Sequence, residues 1–291
     1  MLSSNFNSHI RKVLDCPIKK VEPLSGGDIS NAYCIYTQTH RFFCKVNDSD
    51  TALDMFYTEK AGLECIQHTK TIRVPEILGC GKYEGYSFLL MEFIEPKNPD
   101  PKDMETFGHQ LAEMHSYVGQ ESFGWKMDNY IGTLPQSNKT YTDWSQFYIR
   151  ERLLPQLKMA RDEKLLSSEE IPSINRMESV CQMHFPKTIP SLLHGDLWGG
   201  NYLIGVQGDP YLIDPSVYFG DAEVDLAMTR LFGGFSSRFY DAYSEQIPIK
   251  ALEKERVGIY QLYYLLVHLN LFGKSYYPSV SRLLKTYFGQ R

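Results

Sequence analysis

The sequence predicts an α+β protein in two parts, a small β-rich part followed by a larger, mainly helical part. Short runs rich in β-branched and aromatic residues fill residues 21–92, and one helical pattern interrupts them. From Pro101 onward most segments have the apolar period of helices. Between the two lies "IEPKNPDPKD", which has three prolines in ten residues and is the best candidate for a linker. We therefore expect one part at residues 1–92 and the other at 93–291.

The first part is predicted to be a small sheet with one helix packed on it. The helix is expected from Thr51 to His68. The candidate strand segments, in order, are "VEPLSGG", "NAYCIYTQ", "HRFFCKVND", "PEILGCGKYEG" and "YSFLLMEFIE".

The second part is predicted to be built mainly from helices. The clearest are "METFGHQLAEMHSYV", "DWSQFYIRERLLPQLKMARD" and a long C-terminal stretch. Short apolar runs on both sides of a polar turn, in "LLHGDLWGGNYLI" at residues 192–204, are the exception. The most apolar stretch, residues 257–273, contains Gln261, His268 and Asn270, so we expect a buried helix and no membrane span.

Composition excludes several classes of function. With 291 residues and 43% hydrophobic content, the chain can bury a core of its own. A net charge of -5, a pI near 5.9 and the lack of a Lys/Arg cluster argue against a nucleic-acid partner. Six scattered cysteines form no CxxC pair, and the first residues lack the apolar core of a signal peptide. We expect reduced thiols in a cytoplasmic protein.

The polar turn at residues 192–204 has the residue types of a phosphate-transfer site. Asp196 and Asn201 lie five residues apart across it, and Asp214 ends an apolar run thirteen residues later. One acid could orient a hydroxyl nucleophile, while the amide and the second acid could hold divalent cations. Each residue taken singly could equally form a turn or a helix cap. Their coincidence favours the catalytic interpretation.

A lysine in the first part could hold phosphate. Lys45 lies inside the apolar run "FFCKV", where a buried ammonium needs a partner, and Glu59 on the following helix could supply one. Such a pair would direct the ammonium at phosphate oxygens. The alternative is a lysine on an edge strand that points into water.

These residues resemble the pattern of kinase-like phosphotransferases, which carry a strand lysine, a helix glutamate, a D-x-x-x-x-N loop and a metal-binding aspartate at similar spacing. The chain has "HGD" instead of "HRD" and no A-P-E motif, which is typical of the small-molecule branch. It more closely resembles the fructosamine-3-kinase (ketosamine kinase) family, over most of residues 21–235. The matching motifs are "SGGDISNAY", "FFCKVN", "GLECI", "GWKMDNYIGTLPQSN", "DWSQFYIRERLLPQL", "LLHGDLWGGN" and "GDAEVDLAMTRLFGGF". The resemblance implies a bilobal protein-kinase-like fold, with an N-lobe at 1–92 and a C-lobe at 93–291.

The resemblance also implies catalytic and metal-binding roles. Asp196 would accept or orient the proton of a substrate hydroxyl that attacks the γ-phosphate of ATP. Asn201 and Asp214 would hold Mg²⁺. Lys45, paired with Glu59, would bind the phosphates.

Nucleotide contacts implied by the resemblance lie in the first part. The carbonyl of Glu92 and the N–H of Ile94 would take the adenine edge, with Met91 behind it. Gly26 and Gly27 lie where kinases place a glycine-rich loop, although "LSGGDIS" departs from G-x-G-x-x-G. A plain β-turn is the alternative there.

Substrate contacts are implied for Trp198 and Asp128. The indole would lie against the sugar amine, with a loop anchor packed on the helical part as the alternative. Asp128 would lie near the amine, or else cap a folded loop together with Asn129. We expect His194 to hold the loop backbone. Asp225 resembles the acid that ties down the catalytic loop, and an ordinary helix N-terminal acid is the alternative.

The function implied is ATP-dependent phosphorylation of the 3-hydroxyl of a ketoamine sugar, free or on a protein, which leads to deglycation. Two alternatives remain. One is a kinase for another alcohol or amino sugar, such as choline or an aminoglycoside. The other is a nucleotide-binding regulator without catalysis. The residues favour no particular ketoamine and no oligomeric state.

Overall fold

The computed structural model describes residues 3–25, 30–248 and 253–289. Its first part is a five-stranded antiparallel sheet with strand order β1-β2-β3-β5-β4. The elements are α1 (Ser4–Leu14), β1 (Lys20–Leu24), β2 (Asn31–Tyr36), β3 (Arg41–Asn47), α2 (Ala52–Thr69), β4 (Ile77–Tyr83) and β5 (Tyr86–Glu92). The helix predicted at Thr51–His68 is therefore confirmed to within one residue at each end.

Both faces of this sheet are covered, each by one helix. On one face, Phe6 and Ile10 of α1 pack with alternate sheet residues, among them Phe88 and Leu90 of β5. On the opposite face, α2 packs against the sheet residues that alternate with these, such as Leu89 between Phe88 and Leu90. Because β5 is buried on both sides, its sequence is a continuous apolar run without alternation. The helix α1 is an addition to the predicted elements.

The proline-rich segment ends in a well-defined helix start. The Asp100 carboxylate accepts hydrogen bonds from the N–H groups of Lys102 and Asp103, and the Asp103 carboxylate accepts one from the N–H of Asp100. Pro101 occupies the first helical position, where a missing N–H costs nothing. The sequence "DPKD" is thus a capping box with proline at the first position of the helix.

The second part is a helical body that carries three short antiparallel ladders, β6/β7, β8/β11 and β9/β10. A π-helical segment at Tyr148–Leu153 joins α4 to α5. The helices are α3 (Pro101–His115), α4 (Trp144–Phe147), α5 (Leu154–Asp162), α6 (Ile174–His184), α7 (Glu223–Leu231), α8 (Ser237–Gln246), α9 (Glu253–Phe272) and α10 (Tyr277–Phe288). The strands are β6 (Asn129–Ile131), β7 (Leu134–Gln136), β8 (Ser191–Leu193), β9 (Tyr202–Ile204), β10 (Pro210–Leu212) and β11 (Tyr218–Gly220).

The predicted α+β class is confirmed, as an antiparallel sheet followed by a helical body. Helix α9 runs through the core, where Tyr260, Tyr263 and Tyr264 are fully buried. In the described ranges, no helix is both long and apolar enough to cross a membrane. All six cysteines are free thiols, as expected from their spacing.

Candidate active site

The loop between β8 and β9, residues 194–201, is fixed at its start by a buried carboxylate. Asp225, in the first turn of α7, accepts hydrogen bonds from the backbone N–H groups of His194 (2.7 Å) and Gly195 (2.9 Å). Nε2 of His115 lies 3.2 Å from the same carboxylate. Asp225 therefore ties down the loop, as its resemblance to kinase-like proteins implied.

His194 links this loop to the segment that carries Asp214. Its Nδ1 accepts a hydrogen bond from the N–H of Asp196 (3.2 Å), so its Nε2 is the protonated nitrogen and donates to the Ile213 carbonyl (2.9 Å). Burial lowers the pKa of His194, against the attraction of Asp225. A neutral imidazole with both nitrogens in use holds backbone and cannot easily carry protons, as predicted.

Two glycines of the turn lie close to other atoms, and Gly195 is required both by its φ and by a backbone contact. Gly195 has φ +83°, and a Cβ placed there would lie 2.1 Å from the Ser216 carbonyl oxygen. The indole of Trp198 covers Gly200, where a Cβ would lie 2.3 Å from the ring. Trp198 is 41% exposed, so it is not a buried anchor on the helical body.

Asn201 and Asp196 orient one another across the turn. Asn201 Nδ2 donates to the backbone oxygen of Asp196 (2.8 Å) and to its Oδ2 (3.2 Å). Because the amide nitrogen is used in this way, Oδ1 of Asn201 is the atom available to a cation. Burial, helped by the nearby charge of Asp214, raises the pKa of Asp196 to about 7.

Lys45 pairs with carboxylates from both parts of the protein. Its Nζ lies 2.7 Å from Glu59 Oε1 on α2, and it also contacts Oδ1 of Asp214, which follows β10. Lys45 lies on β3, a central strand between β2 and β5. The alternative of an edge-strand lysine that points into water is therefore wrong.

Electrostatics at this pair favour a charged lysine. Burial would lower the pKa of Lys45, but the carboxylates of Asp214 and Glu59 outweigh it and raise the pKa above its usual value. Burial would likewise raise the pKa of Asp214, but the Lys45 ammonium holds it below its usual range. Asp214, which is 44% exposed, is thus an ionised carboxylate that an incoming cation can reach. Its backbone has φ +55°, which is rare for a residue with a side chain.

The residues present fit a Mg²⁺ ion bound together with nucleotide phosphates. Asp214 offers a carboxylate and Asn201 an amide oxygen, both hard oxygen ligands. In the described ranges, no group of three His, Cys, Asp or Glu side chains forms a protein-only metal site. Mg²⁺ typically takes one or two protein ligands and completes its shell with phosphate oxygens and water.

The expected adenine contacts lie where the sheet ends. Met91 is buried in β5, and Glu92 is the exposed last residue of that strand. The N–H of Glu92 donates to the Glu76 carbonyl (2.8 Å), and Ile94 is buried two residues later. Gly26 and Gly27 lie outside the described residues.

The segment 127–138, here called the front hairpin, contains β6 and β7 and residues that the sequence alone did not reveal. The exposed side chain of Asp128 accepts a hydrogen bond from the N–H of Asn138 (2.7 Å), so it caps the hairpin. Asn129 has no such capping role, because it is buried and donates to the Val217 carbonyl (2.9 Å). Gln136 and Asn138 are buried too, although "YIGTLPQSN" mixes polar and apolar residues and does not distinguish them from exposed turn residues.

The fold and the site together define a kinase-like phosphotransferase. An aminoglycoside phosphotransferase crystallised with ADP and hygromycin B superposes with a TM-score of 0.64 over 99% of this chain and all of that one, at 14% identity, which shows the shared fold. The family model described as "Fructosamine kinase" matches residues 2–290. The chain belongs to the fructosamine kinase family, and the protein is a kinase.

Individual relatives are similar over nearly their whole length. A probable ketoamine kinase from Enterococcus faecium is 39% identical over 270 residues, which cover 92% of this chain and 95% of the relative. One from Escherichia coli K12 is 36% identical over 250 residues, which cover 86% of each. A crystal structure from Haemophilus somnus, assigned as a fructosamine-3-kinase, has a TM-score of 0.87 at 28% identity and covers 97% of this chain and 96% of its own.

Proposed function

We propose that this protein is an ATP-dependent, Mg²⁺-requiring kinase that phosphorylates a sugar hydroxyl of ketoamines such as fructosamines and ribulosamines. The acceptor is the 3-hydroxyl, on free or protein-bound amines, and the outcome is deglycation in the cytoplasm. The observation that carries the proposal is the meeting of Lys45, Glu59 and Asp214. It occurs in a chain that the fructosamine kinase family model matches over residues 2–290.

Nucleotide binding would use both parts of the protein, with the lobe boundary after Glu92. Met91, Glu92 and Ile94 would form the adenine site at the end of β5. Lys45, held by Glu59 from α2, would bind phosphate oxygens, and Gly26 and Gly27 would cover them. Asn201 and Asp214 would hold Mg²⁺, which when bound would offset phosphate charge.

Asp196 would accept the proton of the acceptor hydroxyl. The hydroxyl oxygen forms a bond to the γ-phosphorus as the bond from phosphorus to the β–γ bridging oxygen breaks, and ADP leaves. A carboxylate whose pKa is raised to about 7 is a better proton acceptor than an ordinary aspartate. Asn201 holds Oδ2 of Asp196 at 3.2 Å and so restrains its direction.

The ketoamine would lie between Trp198 and the front hairpin. Trp198 offers an exposed indole face, which suits both a sugar and a cationic amine. The hairpin residue Asp128 is exposed as well, and its charge would favour the amine. An aminoglycoside would present similar groups, so a kinase for amino sugars is the competing function.

The experiment that tests the proposal is a panel of acceptors incubated with radiolabelled ATP and Mg²⁺. We expect phosphate on fructosyl- and ribulosyl-amines, at O3 by NMR, followed by loss of the sugar from the amine. The variant Asp196→Ala should abolish transfer, while Asp48→Ala, at an exposed aspartate, should not. Phosphate on hygromycin B or choline, but on neither ketoamine, would reject the proposal in favour of the competing function.

A further inference from the structure

A buried arginine lies beneath the front hairpin. Arg152, in the π-helical segment, is fully buried. Its Nη1 donates to the Ser137 carbonyl (2.7 Å) and its Nη2 to Asn138 Oδ1 (2.7 Å), both neutral oxygens. The guanidinium also stacks on Tyr218, with Cζ 3.8 Å from the ring centroid. A buried charge with neutral partners is costly, and its planar fork fixes two neighbouring residues of the hairpin at once.

Three buried amides continue from this arginine, and we call Asn129, Gln136 and Asn138 the amide relay. Asn138 Nδ2 donates to Asn129 Oδ1 (2.9 Å), and Gln136 Nε2 donates to the same oxygen (2.8 Å). Each of the three side chains is at most 4% exposed. Because the amide hydrogens and oxygens are matched to partners, the relay is rigid and has one favoured arrangement.

The relay ends on the backbone next to Asp214. Asn129 donates to the Val217 carbonyl (2.9 Å) and Gln136 to the Ser216 carbonyl (3.2 Å). The N–H of Ser216 in turn donates to the His194 carbonyl (2.8 Å). The segment 214–217 is therefore held between the relay and the loop that carries Asp196.

The same segment supports the helix that carries Glu59. Gly62, one turn further along α2, packs against it, and a Cβ at Gly62 would lie 3.2 Å from Pro215 Cγ and 3.4 Å from Val217. A shift of the segment would thus move Asp214 directly and Glu59 through α2. Both carboxylates contact Lys45, so their separation decides where the ammonium lies.

We propose that Arg152 is a positioning residue for the phosphate and metal site. Through the amide relay it fixes segment 214–217, and thereby the positions of Asp214 and Glu59 around Lys45. This inference rests on the proposed function, because it assigns nucleotide phosphates and Mg²⁺ to these groups. It adds to that site residues of the second part that would contact neither the phosphates nor Mg²⁺.

The test uses two variants and a matched control. Arg152→Lys keeps the charge but loses the planar fork, and Asn129→Leu keeps the arginine but removes the amide through which every bond of the relay from Arg152 passes. Val280→Ala creates a cavity in α10, which packs on α6 and α9 away from the site. Mg²⁺-dependent binding of AMP-PNP, followed by calorimetry, needs no acceptor, and kcat and KM for a ketoamine are measured alongside the melting temperature.

We expect Arg152→Lys and Asn129→Leu each to weaken Mg²⁺-dependent AMP-PNP binding and to lower kcat by about tenfold. In AMP-PNP binding and kcat, the double variant should be no more impaired than the more impaired of the two single variants, because both substitutions act on one relay. Val280→Ala should lower the melting temperature and leave both quantities near wild type. If Arg152→Lys does not fold, Asn129→Leu decides.

Three results would overturn the inference or separate it from the proposed function. If the relay variants match Val280→Ala in AMP-PNP binding and in kcat, Arg152 has only a structural role and the inference is wrong. If wild type binds AMP-PNP with Mg²⁺ but phosphorylates no ketoamine, the proposed function fails, and the binding data alone still decide the role of Arg152. If wild type shows no such binding, both proposals fail.

Discussion

Replacement of Asp196 by asparagine is expected to stabilise the ligand-free protein while it abolishes activity. The carboxylate is half-buried near Asp214, and its pKa is raised from the usual 3.8 to about 7. A difference of this size corresponds to ~4 kcal/mol in favour of the neutral form. Because solvent still reaches the side chain and screens it, we expect Asp196→Asn to gain about 1–2 kcal/mol at pH 8. In a chain of this length that is a rise of about 2–3 °C in the melting temperature.

The pH dependence of this gain identifies its cause. A carboxyl whose pKa is raised in the folded state makes its full contribution to stability below pH 3.8. This contribution is lost as the pH rises to about 7. The advantage of Asp196→Asn should therefore grow between pH 4 and pH 7 and stay constant above it. Scanning calorimetry at pH 5 and pH 8 measures this, with Asp48→Asn at an exposed aspartate as the control. An equal gain at both pH values, or no gain at pH 8, would refute the reasoning.

Three further substitutions test the site. Gly195→Ala should lower the free energy of unfolding in urea by about 3–4 kcal/mol, because its Cβ would lie 2.1 Å from a carbonyl oxygen. The control Gly85→Ala has a similar φ but open space around it, and it should lower the same free energy by about 1 kcal/mol. Equal costs would show that φ alone matters. Lys45→Met should lower kcat/KM for ATP about a hundredfold or more, while Lys20→Met on β1 should not, and similar values for both would contradict the phosphate role. Trp198→Ala should raise the ketoamine KM about tenfold with under 1 kcal/mol lost in stability, because the ring is 41% exposed; unchanged KM would remove it from the substrate site.

Sequence patterns were sufficient for the fold class and for the pairing of Lys45 with Glu59. The apolar run around Lys45 predicted a strand, Phe56, Leu63 and Ile66 predicted a helix packed on the sheet, and a buried ammonium leaves few partners. The D-x-x-x-x-N spacing likewise predicted that Asp196 and Asn201 share one turn, and they are hydrogen-bonded there.

The front hairpin shows what local patterns miss. Asn129 bonds to Val217, 88 residues away, and Gln136 to Ser216, 80 residues away, so no short stretch contains the reason for either amide. An interpretation of Asp128 and Asn129 as a pair of caps was right for the first and wrong for the second, because only burial distinguishes them. Helix α1, by contrast, could have been predicted, because Phe6, Ile10, Val13 and Leu14 recur at helical spacing after the N-cap residue Ser3.

Helix α1 has a consequence for the lysine on the neighbouring strand. Cys44 and Val46 flank Lys45 in β3 and face α1, in the same small core as Phe6 and Ile10. Helix α1 thus supports, from the face of the sheet opposite α2, the strand that carries the Lys45 ammonium. We therefore expect fusion partners, tags or truncations at this end of the chain to loosen that support and to shift the position of Lys45 from a distance.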